Sequence, residues 1–226
     1  TMIAISFQFL AGRYHATPWG RHVNEGAVEW PPSPWRILRA IIAAWKRTRP
    51  DLPESEVKPI LEKLAAPPQF VLPPASTGHT RHYMPWFKRG PEDRTAVFDT
   101  FVAVLRNAKL LVRWPDAALD EAQGRRLAGI LENLSTLGRS ESWCQAELLS
   151  EQDAGGRTDL VCIPLDGDEP SPETELVRLL CPDPESAFAD DGVVSVTKKT
   201  AGRGKKKHTS EERSTIYDPA WNICME

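Results

Sequence analysis

Two short segments hold most of the residues able to grip a polyanion. The first is Gly12–His22 (GRYHATPWGRH), the second Gly78–Trp86 (GHTRHYMPW). In the first, Arg13 and Arg21 suit phosphate oxygens through paired N–H donors, while Tyr14, His15, Trp19 and His22 carry flat rings on which unpaired bases can stack. Gly12 and Gly20 allow the backbone close to a ligand. In the second, Arg81 could meet phosphate while His79, His82 and Tyr83 meet bases. A third segment, Leu137–Trp143 (LGRSESW), adds Arg139 and Ser140 as a possible phosphate grip.

Each segment has competing readings. Tyr14 and Trp19 could simply pack beneath a long loop, and the histidines could brace one. His79 and His82 have the spacing of a metal pair, but no Cys, Asp or Glu stands beside them in sequence, so no metal is expected. Metal-free RNA cleavage would use the same side-chain types: a base deprotonating a ribose 2′-hydroxyl while cations steady the phosphate. Types alone assign no catalytic residue. A fourth segment, Lys198, Lys199, Arg203, Lys205, Lys206 and Lys207, reads as a solvated basic loop. It could add sequence-independent affinity for nucleic acid.

Bulk properties bound these readings. The 226 residues are 41% hydrophobic, enough for a packed core. Residues 1–114 carry 16 Lys/Arg against 9 Asp/Glu, and residues 115–226 carry 12 against 22, so the first half is the one suited to a polyanion. Cys144, Cys162, Cys181 and Cys224 form no paired motif, which argues against a disulfide framework or zinc knuckle and fits a cytoplasmic protein. No run approaches the length of a membrane span, and no cofactor motif occurs.

The elements that must position these segments follow from periodicity. Met2–Leu10 alternates Ile3, Ile5, Phe7 and Phe9 as a half-buried strand, and a loop is expected over Ala11–Pro34. Ser33 and Pro34 predict the start of a helix over Trp35–Arg47, and Ser55 the cap of a second over Ser55–Leu64. Gln69–Leu72 reads as a strand, Gly78–Trp86 as a loop, and Thr95–Leu105 with Ala108–Trp114 as a hairpin turning at Arg106–Asn107. A helix over Asp116–Leu137 and a strand over Ser142–Leu149 complete the order strand, helix, strand, strand, helix, strand. The expected class is α+β, ferredoxin-like (RRM-like, βαββαβ), over residues 2–150. Residues 151–226 are expected to form a long irregular extension: an acidic connection over Asp166–Asp191, the basic loop, and an apolar run Trp221–Glu226 that opens a further strand.

Gly12–His22, Pro31–Leu38 (PPSPWRIL), His79–Pro85 (HTRHYMP) and Leu137–Trp143 together resemble the amino-terminal, Cas-five-like part of the Cas-five/Cas-six fusion subunit of type I-U (I-G) CRISPR systems. The resemblance runs through most of the chain. It implies a repeat-associated-protein fold and an RNA-binding subunit of a Cascade-like surveillance complex. Such a subunit holds the 5′ handle of the guide crRNA beside Cas-seven-like backbone and Cas-eight-like large subunits, with target DNA in the assembled complex. It further implies a missing carboxy-terminal half carrying the endoribonuclease, so no catalytic residue is assigned here. The alternative is a metal-independent endoribonuclease that processes CRISPR precursor RNA.

Overall fold

A computed structural model describes residues 2–22, 25–85, 88, 90, 92–155, 160–165, 172–183, 194–201 and 208–215. The chain forms two compact units, Thr1–Cys181 and Pro182–Glu226.

The first unit is α+β. Strand β1 (Ile3–Phe9) lies inside a five-stranded sheet and is buried on both faces, with Ala4 and Ser6 covered like Ile5 and Phe7. It is therefore not the half-buried strand that its alternation predicts. Its neighbours are β6 (Lys109–Trp114) and β7 (Cys144–Leu148), both antiparallel. Beyond β6 come β3 (Gln69–Val71) and β8 (Val161–Cys162), giving the order β7-β1-β6-β3-β8. Because β8 belongs to this sheet, the first unit runs past residue 150.

Helix α1 (Pro34–Thr48) follows the predicted stripe: Ile37, Leu38, Ile41, Ile42 and Trp45 are buried. Pro34 sits in its first turn, where a missing N–H costs nothing. Ser33 precedes it as cap residue, yet its side chain makes no capping bond. Helix α2 (Glu54–Leu64) starts after Pro53, two residues earlier than a Ser55 cap would place it. Helix α3 (Glu121–Leu131) is shorter than predicted at both ends. A capping box starts it: the Gln123 N–H donates to Asp120 Oδ1 (2.7 Å), and the Asp120 N–H donates to Gln123 Oε1 (3.3 Å). Leu134 and Leu137 are buried too, but from the segment after the helix. Helix α3 packs on α1, α2 and β7.

The largest departure from expectation is a second, three-stranded sheet in the order β2-β5-β4. Strand β4 (Ala75–Pro85) occupies the segment predicted as a loop, and pairs antiparallel along its whole length with β5 (Arg94–Val104), from Ala75↔Val104 to Pro85↔Arg94. Strand β2 (Arg13–Tyr14) adds a short third strand on the other edge of β5. The expected hairpin between 95–105 and 108–114 does not form. The turn at Leu105–Ala108 instead hands the chain from one sheet to the other. The reason lies in β6, whose Leu110, Leu111 and Val112 are all buried: a continuous apolar run needs cover on both faces and takes a central place beside β1. Strand β5 alternates, keeps one partly open face and pairs with the polar β4.

The second unit contains an antiparallel pair, β9 (Val194–Ala201) and β10 (His208–Thr215), in register from Val194↔Thr215 to Ala201↔His208. This replaces part of the irregular extension that was expected. Lys198 and Lys199 fall within β9. Arg203, Lys205, Lys206 and Lys207 lie outside the described residues, as do Trp86 and the apolar run 221–226.

Candidate nucleic-acid interface

Pleating divides the residues of the β2-β5-β4 sheet between two faces. In register, His79, Arg81 and Tyr83 share one face with Phe98 and Thr100, while Thr80 and His82 share the other with Asp99. Arg13 and Tyr14 divide the same way through Ala103 and Val102.

On the Asp99 face the three segments picked out by composition converge. Asp99 Oδ1 lies 3.1 Å from His15 Nε2 and accepts from Arg139 Nη1 at 3.0 Å; Oδ2 lies 3.9 Å from His82 Nε2. His15 is buried, and its Nδ1 stands 2.7 Å from Glu141 Oε1. Burial alone would raise the Glu141 carboxyl. Hydrogen bonds from its own backbone, His15 and Ser140 outweigh that and hold it below its ordinary range. The backbone is locked to match. The Arg139 N–H donates to the His15 carbonyl (2.8 Å), and the His15 N–H donates to Ser142 Oγ (2.8 Å). Gly138 is required here. Its φ is +91°, and a Cβ on it would stand 2.5 Å from the His15 oxygen.

His15, Asp99 and Glu141 each offer a metal-ligand atom within 4.8 Å of the others. The two carboxylates meet opposite nitrogens of the one ring, and the Arg139 guanidinium stands 3.0 Å from Asp99 Oδ1 and 3.2 Å from His15 Nε2. The arrangement suits a hydrogen-bonded side-chain network better than a shared ion.

Tyr14 corrects an expectation. Its ring is fully buried against Phe9 and Trp30, so it presents no surface to a base. Its hydroxyl donates to Glu29 Oε1 (2.9 Å), and desolvation with the Glu29 charge raises its pKa well above the ordinary value. Glu29 also accepts from the Ser33 N–H and from Arg36, whose Nη2 donates in turn to the Thr17 carbonyl. This buried network ties residues 14–17 to residues 29–36. His15 likewise braces the structure and is too buried to meet a base directly.

The other predicted residues are accessible. Trp19 is 63% exposed, edge-on to Trp35 at 6.0 Å. Arg21 is exposed and pairs with Glu25, and His22 is exposed beside it. Arg13 lies 5.8 Å over the Phe101 ring. On the Phe98 face the Arg81 guanidinium lies 4.9 Å over the ring of Phe98, His79 is tilted against that ring at 6.5 Å, and Tyr83 is 65% exposed. This is an open strip of alternating cation and ring, the composition that backbone-tracking, base-stacking sites use. Arg139 is 43% exposed at the edge of the Asp99 cluster, and Ser140 bonds Glu141.

Sequence reasoning missed Asp99, Glu141, Phe98 and Glu29. One signal was available for Asp99: strands are depleted in Asp, so an Asp inside a β-like run calls for a partner. Among the described residues the cysteines offer no competing chemistry. Burial raises Cys144 to about 12, and it also raises Cys162 and Cys181. No protein-family model matches the chain, and no curated protein matches it.

Proposed function

We propose that this chain is an RNA-binding subunit of a type I CRISPR surveillance complex, holding the 5′ handle of the guide crRNA and capping the backbone of the assembly. The observation that carries the RNA reading is the strip on β4 and β5, where Arg81 lies 4.9 Å over Phe98 between exposed His79 and Tyr83. A hooked single strand offers phosphates to Arg81, Arg13, Arg21 and Arg139 and unstacked bases to the rings. The assignment to a CRISPR complex rests on the resemblance of the segments at 12–22, 31–38, 79–85 and 137–143.

A ferredoxin-like, RRM-like core suits this role. The strand order β7-β1-β6-β3, with every neighbour antiparallel and helices in the two crossovers, supports that reading. The partners on this reading are the crRNA handle, Cas-seven-like and Cas-eight-like subunits, and target DNA, in the cytoplasm. No helix among the described residues is long and apolar enough to cross a membrane.

The second reading, metal-independent cleavage of precursor RNA, is favoured by one contact: His82 Nε2 stands 3.0 Å from Thr80 Oγ1 and 3.9 Å from Asp99. Incubation with precursor repeat RNA without metal separates the two. Retention of uncut RNA with a defined 5′ end is expected. Specific cleavage that His82→Ala abolishes would replace the scaffold role with the nuclease.

A further inference from the structure

Where the strip meets the root of the β4–β5 pair, it opens into a cavity of about 470 Å³. One wall is Gly26 and Val28, from the segment leading to Trp30. The other is Thr77 and His79 of β4 with Phe98 and Thr100 of β5. All four β-residues lie on the face that carries Arg81. The Gly26 wall stands close: a Cβ on Gly26 would lie 3.5 Å from Thr100 Oγ1, and its φ of +68° favours glycine.

We propose that this cavity is a pocket for a single unstacked nucleobase of a bound RNA strand, a site that rests on the RNA-binding reading. Three features argue for a base. The volume admits a flat heterocycle with its ribose. The aromatic surfaces of Phe98 and His79 supply a stacking wall, and the Thr77 and Thr100 hydroxyls can each donate to or accept from a base edge. Arg81, over the ring of Phe98 on the same face, is placed to meet the phosphate of the inserted nucleotide. Hydroxyls that serve as donor or acceptor read no unique edge, so the pocket accepts any base and fixes the register of the strand instead of its sequence.

The test uses the whole chain and an abasic RNA 8-mer backbone, bare or carrying one 2-aminopurine. The single base is expected to tighten binding by about tenfold or more, as base stacking does, and to change its fluorescence on binding. Thr100→Phe, which fills the pocket from β5, should cancel that gain yet leave affinity for the bare backbone unchanged. Val28→Trp, from the opposite wall, should do the same and guards against a folding defect in the first variant. If the base gains as much affinity in both variants as in the parent, it stacks elsewhere; the pocket is then overturned and RNA binding stands. If neither oligomer binds the parent chain, the RNA reading fails and takes the pocket with it.

Discussion

Asp99 Oδ1 stands 3.1 Å from His15 Nε2, and through that contact β5 is tied to the first Arg/His segment just after β2. Arg139 reaches the same oxygen from the third segment, and His82 approaches the same carboxylate from the second. One carboxylate thus gathers side chains that are 124 residues apart in the chain.

Removing that charge should loosen all three segments. Asp99→Asn is expected to destabilise the fold by about 1–3 kcal/mol, the range for leaving hydrogen-bonded charged groups without their partner. Urea denaturation measures it, and RNA affinity should fall as well, because Arg139 loses its anchor.

The Tyr14–Glu29 bond makes a contrasting prediction. Tyr14→Phe should cost about 1–2 kcal/mol of stability, since a buried acceptor loses its donor. RNA affinity should stay at the parent value once the protein is folded. A selective loss of affinity in the stable fraction would place the Tyr14 ring on RNA and contradict its buried position.

Gly138→Ala tests the close approach of two backbones. The new Cβ would meet the His15 carbonyl at 2.5 Å in a conformation that side chains rarely adopt. A drop of about 2 kcal/mol or more is expected from strain and backbone shift, with weakened RNA binding, read by thermal unfolding and anisotropy.

Glu141 sets a pH dependence. Its carboxyl is held below the ordinary range in the folded chain, so the ionised form contributes stability that is present above the unfolded value, about 4.3, and is lost as pH falls through the lower folded value. The stability gap between the parent chain and Glu141→Gln should therefore be open at neutral pH and close as the medium is acidified. A gap that widens in acid would reverse the assignment.

Part of the first sheet was legible. The strand at Ile3–Phe9 and the stripe in Pro34–Thr48 follow from local periodicity, but the alternation did not show that β1 is covered on both faces, which comes from its neighbours. Strand β4 was not legible. Its Ser, Thr, Gly, His and Arg residues carry almost no apolar signal, and its identity as a strand comes from pairing with β5. The same holds for the site. Arg81, His79 and Tyr83 stand out by type, whereas Phe98 and Asp99 matter only through the register that sets them opposite Arg81 and Thr80. Tyr14 and His15 misled for the converse reason: they look like binding residues, but Tyr14 is buried on Glu29 and His15 on Glu141.

The central claim is that the β4–β5 strip and the arginines of the first segment grip single-stranded RNA. Its most direct test is the salt dependence of binding to a labelled single-stranded RNA 12-mer for the parent chain and for Arg13→Ala, Arg21→Ala and Arg81→Ala. Each variant should bind more weakly, with the slope of log K against log salt shallower by about 0.7 for every phosphate that is no longer neutralised. Parent-level affinity and an unchanged slope in all three variants would contradict that claim.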